Sequence, residues 1–166
     1  MRPTRDEWGI ELAYLTAKRA TCLRRSVGCV LVNARGHVLA TGYNGVAAGL
    51  PHCNEETQRT GCLSHYRHAC SGAQSPTGTN LDGCQAVHAE QNALLQCRDV
   101  WEIHTCYTTT SPCVTCVKLL MNTSCQRIVF AEEYSQPAAK ELWLQRRRLS
   151  APQLIEDEPW IKINLK

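Results

Sequence analysis

The sequence predicts a single three-layer α/β/α sandwich on a mixed central sheet of about five strands. Helix-period and strand-period segments alternate along most of the chain. At 166 residues it suits one domain, large enough to bury about two-thirds of its unfolded surface. No internal repeat or linker divides residues 1–166, and a Cys- and His-rich excursion at 45–87 is the one departure from a minimal plan.

Asp6 to Arg19 reads as an amphipathic helix, with Trp8, Leu12, Leu15 and Arg19 near the helical period and Thr4 capping it, Glu7 three residues on. Val27 to Val32 is a strand, Asn33-Ala34-Arg35-Gly36 a turn, and His37 to Tyr43 the returning strand of a hairpin. His88 to Gln96 is a helix with Ala89, Ala93 and Leu94 inward, and His104 to Thr110 is a buried strand. Cys113 to Asn122 is helical, Arg127 to Ala131 a strand, and Gln136 to Leu149 a helix. Trp160 to Leu165 is a last short strand or an extended tail. Arg146-Arg147-Arg148 reads as a solvated helix end favourable to the dipole. Trp8, Trp101, Trp143 and Trp160 belong to core or subunit interface.

A net charge of +3 gives no electrostatic footprint for nucleic acid. With no charged-then-apolar leader and no apolar run near 18 residues, the expectation is a soluble cytoplasmic protein without a membrane partner. Eleven cysteines, an odd count without a leader, point to metal ligands and free thiols rather than disulfides.

The chemistry is carried by His88-Ala89-Glu90 and by Pro112-Cys113-Val114-Thr115-Cys116, with 22 residues between Glu90 and Cys113. One imidazole and two thiols are three good zinc ligands. A structural zinc is normally closed by four protein ligands, whereas a hydrolytic one keeps a position for water. Zinc lowers the pKa of bound water from 15.7 towards about 7, and Glu90 sits close enough to handle the protons. Thiolates at a helix N-terminus are favoured by its free N–H groups and dipole. His-x-Glu with Pro-Cys-x-x-Cys is the pattern of zinc nucleobase deaminases. A zinc knuckle or a redox pair would explain the two cysteines but not the upstream His-x-Glu.

Gly45 to Val87 spans 43 residues with little periodicity and holds Cys53, Cys62, Cys70 and Cys84 with His52, His65 and His68. So long an irregular segment in a compact domain is functional or held by something. A second zinc is an economical clamp, with Cys22 and Cys53 as ligands from either side; spacing does not select four from the set.

Beyond these motifs, the chain resembles the deoxycytidylate (dCMP) deaminases of bacteria and phages over roughly residues 8–134. The residues that carry the resemblance are Thr21-Cys22-Leu23-Arg24-Arg25-Ser26-Val27-Gly28-Cys29-Val30, Thr41-Gly42-Tyr43-Asn44-Gly45 and His52-Cys53. His88-Ala89-Glu90-Gln91-Asn92-Ala93 and Thr110-Ser111-Pro112-Cys113-Val114-Thr115-Cys116 complete them. The resemblance implies a cytidine-deaminase-like fold, zinc on His88, Cys113 and Cys116, and Glu90 as the proton shuttle. It implies substrate contacts from Asn44 to the sugar and from Ala89, Ser111 and Pro112 around the base. It implies a second structural zinc on Cys22 and Cys53, with Cys84 third and the fourth open among His52, Cys62, His65, His68 and Cys70. It further implies conversion of dCMP to dUMP for thymidylate synthesis, activation by dCTP, inhibition by dTTP, Mg²⁺ accompanying those effectors, and a hexamer. Gly42 to Gly45 would lie near the nucleotide sites. Val46-Ala47-Ala48-Gly49 lacks the proline many relatives carry there.

A monophosphate needs cationic partners, and Arg24, Arg25 and Lys118 are available without the sequence choosing among them. A tRNA adenosine deaminase shares the zinc motif but needs no 43-residue excursion and calls for a more basic face. A non-catalytic zinc-stabilised module has no use for Glu90.

Overall fold

The computed structural model describes residues 1–50, 52–53, 70, 72–73, 75–76, 79–80, 83–150 and 158–165. The main sheet has five strands in the order β2-β1-β5-β6-β7: Gly28–Val32 (β1), Val38–Tyr43 (β2), Thr105–Thr110 (β5), Arg127–Glu132 (β6) and Trp160–Lys162 (β7). β1 pairs antiparallel with β2 and β5, while β5, β6 and β7 run parallel. The mixed five-stranded expectation is met, and the C-terminal segment is a strand.

Helices cover both faces. α1 (Arg5–Ala17) lies on one, where Ile10, Ala13, Val30, Val32, Tyr107 and Val129 form a core. α2 (Ala89–Gln96), α3 (Val114–Met121) and α4 (Pro137–Ser150) lie on the other, over a larger core that includes Leu31, Ile128, Phe130, Trp143 and Trp160. Successive strand residues point to opposite faces. All five residues of β1 are therefore buried, odd positions under α2 and even ones under α1. α3 and α4 are the crossovers that the parallel pairs β5–β6 and β6–β7 require.

α1 corrects one expectation. It is capped as predicted: Glu7 N–H donates to Thr4 Oγ1 at 3.2 Å, and Thr4 N–H to Glu7 Oε2 at 2.8 Å. Its buried stripe, however, is Gly9, Ile10, Ala13 and Ala17, while Trp8 and Leu15 are exposed and Arg19 lies beyond the helix. The cause is proximity: a Cβ on Gly9 would enter the Tyr107 ring, so small residues face the sheet and large ones do not. Trp143 and Trp160 are core, whereas Trp8 and Trp101 are exposed in the single chain.

Arg146 is not a freely solvated helix end. Its guanidinium donates to the carbonyls of Thr123 (3.1 Å) and Cys125 (3.3 Å) and lies over the Trp143 ring, tying α4 to the loop before β6. The side chains of Arg147 and Arg148 are outside the described residues.

A second, two-stranded sheet pairs Gly45–Val46 (β3) with Ala86–Val87 (β4). The excursion predicted at 45–87 thus leaves and returns at one place. Cys62, His65 and His68 within it fall outside the described residues. Among the described residues, no helix is long and apolar enough to cross a membrane.

Candidate active site

The site forms where β5 ends, between the N-termini of α2 and α3. Open α/β sheets place ligands at the carboxyl ends of their parallel strands. Pro112, lacking a ladder N–H, cannot extend β5; Cys113 follows as N-cap of α3, and Cys116 sits one turn on, fully buried. His88 is the N-cap of α2, its N–H held by Gln91 Oε1 at 2.9 Å. α2 is set down directly on β2: a Cβ on Gly42 would strike Ala89 O and Ala93 N. Asn92 Nδ2 donates to Tyr43 O at 2.8 Å and fixes the helix along its axis.

These elements bring His88, Cys113 and Cys116 together. Both sulfurs lie 3.4 Å from His88 Nδ1, and all three ligand atoms fall within 4.8 Å of one another. Among the described residues no other group of three metal-ligating side chains is so compact. Tetrahedral zinc, with Zn–S about 2.3 Å and Zn–N about 2.0–2.1 Å, sets its ligand atoms roughly 3.5–3.8 Å apart. The trio fits that ion, through Nδ1 rather than Nε2.

The three groups lie within hydrogen-bond reach of one another. Hydrogen bonds from Cys116 and His88 pull the Cys113 thiol down to about 4, against the opposition of burial. The same Cys113 sulfur pushes the Cys116 thiol up, with burial adding to it, and raises the His88 imidazole. Glu90, in the first turn of α2, is only 4 % exposed, and burial lifts its carboxyl above the usual carboxylate range. A carboxyl held towards neutrality suits reversible proton transfer.

A cavity of about 700 Å³, part of it open to solvent, extends from this cluster. His88, Ala89, Glu90 and Cys113 line it, together with Asn44, Thr110, Ser111 and Tyr134 and with Cys22, Arg24, Arg25, Val27, Cys84 and Ala86. Ser111 Oγ accepts from Tyr134 N–H at 2.7 Å, fixing the loop after β6 against the end of β5. Asn44 is buried, its Oδ1 accepting from Val27 N–H (2.8 Å) and its Nδ2 donating to Arg25 O (2.7 Å). An amide has two donors and two lone pairs, so one of each is left for a ligand.

Of the predicted substrate contacts, Asn44, Ala89 and Ser111 line the cavity; Pro112 is buried and is not among its lining residues. Arg24 and Arg25 line it, whereas Lys118 is exposed on α3 and does not. Tyr134 and Thr110 were missed as functional candidates. Tyr134 follows a strand without any motif, and only the sheet order brings it back to the site. Of the other cysteine set, Cys53 and Cys70 are buried with sulfurs 3.8 Å apart, and Cys84 packs beside them. Burial opposes ionisation of Cys70, but N–H groups at Gln85 and Gly72 and the thiols of Cys53 and Cys84 outweigh it, lowering its pKa.

Comparison with known proteins agrees with this geometry. The family profile described as the cytidine and deoxycytidylate deaminase zinc-binding region matches residues 3–132. The deoxycytidylate deaminase of Mycobacterium phage D29 is 37% identical over 134 residues, covering 80% of this chain and 98% of the phage protein. That of Schizosaccharomyces pombe is 36% identical over 159 residues, covering 95% of this chain. This chain spans 46% of that yeast protein's length. Among solved structures, the dCMP deaminase of cyanophage S-TIM5 superposes with a TM-score of 0.65 at 22% identity, covering 98% of this chain and 100% of that one, and shares the fold. The chain belongs to the cytidine and deoxycytidylate deaminase family, whose members bind zinc, and His88, Cys113 and Cys116 form the cluster that fits the ion.

Proposed function

We propose that this protein deaminates dCMP hydrolytically to dUMP and ammonia, supplying dUMP for thymidylate synthesis. The observation that carries the reading is a buried carboxyl, Glu90, beside a compact His-Cys-Cys trio in a cavity that Arg24 and Arg25 also line. The names of the phage D29 and yeast relatives support the substrate.

His88, Cys113 and Cys116 would hold the zinc, which supplies an acidified water at neutral pH. Glu90 takes a proton from the attacking water and delivers it to ring N3, next to the amino-bearing C4. It then carries a second proton to the departing amine, so that one water is consumed and one ammonia released. Its burial keeps bulk water from competing for these transfers. Ala89 and Ser111 border the base, with Pro112 holding the turn behind Ser111. The spare donor and acceptor of Asn44 suit a sugar hydroxyl.

A second, structural zinc on Cys22, Cys53, Cys70 and Cys84 belongs to the same reading. It is supported by the 3.8 Å Cys53–Cys70 separation, the spacing expected of two thiolates on one zinc, about 3.8 Å. Residues 1–166 then act as one deaminase domain in which this metal holds the 45–87 excursion. Regulation by dCTP and dTTP, with Mg²⁺, and a hexameric assembly complete the proposal; the exposed Leu95, Trp101 and Leu119 are apolar surface for subunit contact.

The test is ammonia release by zinc-loaded protein from dCMP, deoxycytidine, dCTP and an adenosine-containing tRNA stem-loop, with dCTP or dTTP added to the dCMP assays. Turnover of dCMP supports the assignment. Turnover of the RNA instead, or none despite bound zinc, overturns it.

A further inference from the structure

One hydrogen bond beside the metal-ligand cluster comes from a residue that no motif contains. Val114 N–H, at the first position of α3, donates to Gln136 Oε1 at 3.2 Å, across 22 residues of sequence. Val114 lies between the two ligand cysteines, so this bond acts on the backbone that carries both sulfurs.

The donor needs an outside partner for a local reason. The first N–H groups of a helix have no partner within it, and an N-cap side chain reaches those of the second or third helical residue. Val114, as the first, must be answered from elsewhere. Its N-cap is Cys113, whose sulfur lies 3.4 Å from His88 Nδ1.

Gln136 is held in place from both sides. Its N–H donates to Tyr134 O at 2.7 Å, and its carbonyl accepts from Ala139 N–H at 3.0 Å. It stands directly before Pro137, the first residue of α4, and a residue before proline is biased to extended conformations. Nearby, Ser111 N–H donates to Glu132 O at 2.8 Å, and Ser111 Oγ accepts from Tyr134 N–H at 2.7 Å. Residues 132–136 thus grip residues 111–114 at three points. Pro112 has no N–H to give, and of the three bonds only that of Gln136 lies on the α3 side of it. The two sulfurs depend on this grip unequally. Cys116 is fully buried, as are Val117 and Leu120 in the same helix, and packing fixes it. Cys113 is half-buried at the helix edge and is placed by the backbone around it.

We infer that Gln136 is a positioning residue for the metal. Its side-chain oxygen pins the start of α3 so that Cys113 meets His88 and Cys116 at the separation a zinc ion needs. Gln136 is not among the residues lining the cavity, so it acts through Cys113 and not on the substrate. Partners that orient metal ligands are worth about 10- to 100-fold in metal affinity.

This inference rests on the proposed zinc site, and metal binding tests it without turnover. Zinc-loaded protein is challenged with graded chelator, and the ion that Cys113→Ala fails to hold marks the site. Gln136→Asn withdraws the oxygen by one methylene, yet places a preferred helix N-cap in front of Pro137. It should lose about 10- to 100-fold in zinc affinity at this site, while the zinc-free variant melts no lower than zinc-free wild type. Loaded with cobalt instead, it should show weaker thiolate charge-transfer absorption. Gln136→Glu returns an oxygen at the original reach and should restore most of the affinity. Wild-type affinity in Gln136→Asn overturns the inference, as does a Gln136→Glu variant that binds no tighter than Gln136→Asn. A zinc loss accompanied by lower melting of the zinc-free protein also overturns it, since that is a folding effect. Zinc binding that depends on Gln136 in a protein unable to deaminate dCMP leaves the inference standing and sinks the proposed function. Turnover of dCMP with zinc affinity indifferent to Gln136 does the reverse.

Discussion

Glu90→Gln removes ionisation while keeping size and shape, so it isolates proton transfer. Loss of one positioned acid–base group costs about 10²–10⁴ in rate. Two features put this site at the upper end. The carboxyl is only 4 % exposed, and in the proposed mechanism both the ring-nitrogen and leaving-amine protons would pass through it. A fall of about 10⁴ in kcat is expected, which corresponds to roughly 5.4 kcal/mol in the barrier. Folding should not suffer. Burial raises the Glu90 pKa, so the folded state disfavours the carboxylate, and stability is lost as pH rises through the folded value. Glutamine abolishes that loss, and the variant should melt no lower than wild type at about pH 7.5. The assay is ammonia release from dCMP alongside zinc content by elemental analysis. A rate within tenfold of wild type would refute the proton-shuttle role; parallel loss of zinc would mean that Glu90 is a ligand instead.

Gly42→Ala places a methyl on the backbone of Ala89 and Ala93, which should cost about 1–3 kcal/mol and shift the helix that carries His88 and Glu90; thermal melting and zinc content should fall together, and a normal protein would mean that α2 yields freely. Cys70→Ala should lower bound zinc from two ions per chain to one, read by elemental analysis; an unchanged count removes Cys70 from the ligand set. Tyr107 donates to Asp6 Oδ1 at 2.8 Å, and its pKa is raised by burial and then by that carboxylate. Its stabilising effect is complete below the unfolded pKa of about 10 and is lost as pH rises through the higher folded value. Tyr107→Phe should therefore be less stable near neutrality, by about 1.5–3 kcal/mol, but show a shallower alkaline decline in urea unfolding between pH 8 and 11.

What could be read from the sequence was what local pattern controls. The strands, the capped start of α1 and the zinc trio depend on residue type at short range, and each was found within a few residues of its place. α1 was assigned the wrong face because periodicity rewards bulk, whereas helix-on-sheet contact at Gly9 and Gly28 admits only small side chains. Arg146 was taken for surface because nothing local announces the carbonyls of Thr123 and Cys125 as its partners. Tyr134 and Arg25 are separated by more than a hundred residues and meet only because the order β2-β1-β5-β6-β7 brings the start of β1 and the end of β6 to the same cavity. Sequence proximity brought together the His-Cys-Cys trio and Glu90; sheet order brought the remaining lining residues to the same cavity.

That division has a physical consequence for the excursion. The part of the cavity around His88 and Cys113 is made by helix N-termini seated on a five-stranded sheet, with Ala89, Ala93, Val117 and Leu120 fully buried. Packing of that kind gives way only at substantial cost. Another part of the lining comes from Cys22, Arg24, Arg25, Val27, Cys84 and Ala86, held by the Asn44 amide, by backbone bonds from Thr21 N–H to Asn44 O (3.1 Å) and from Asn44 N–H to Val27 O (3.2 Å), by the two-residue β3–β4 ladder, and by the Arg24–Pro76 bond. Cys22 lies in the same segment as Arg24 and Arg25, and Cys84 two residues before Ala86. A metal gripping Cys22, Cys53, Cys70 and Cys84 would bind that segment and both ends of the excursion into one rigid body. It would thus steady the wall that carries Arg25 without touching the zinc that serves the reaction. On the proposed function, the excursion's cysteines would set how firmly this part of the cavity lining is held, while His88, Glu90, Cys113 and Cys116 would act on the base.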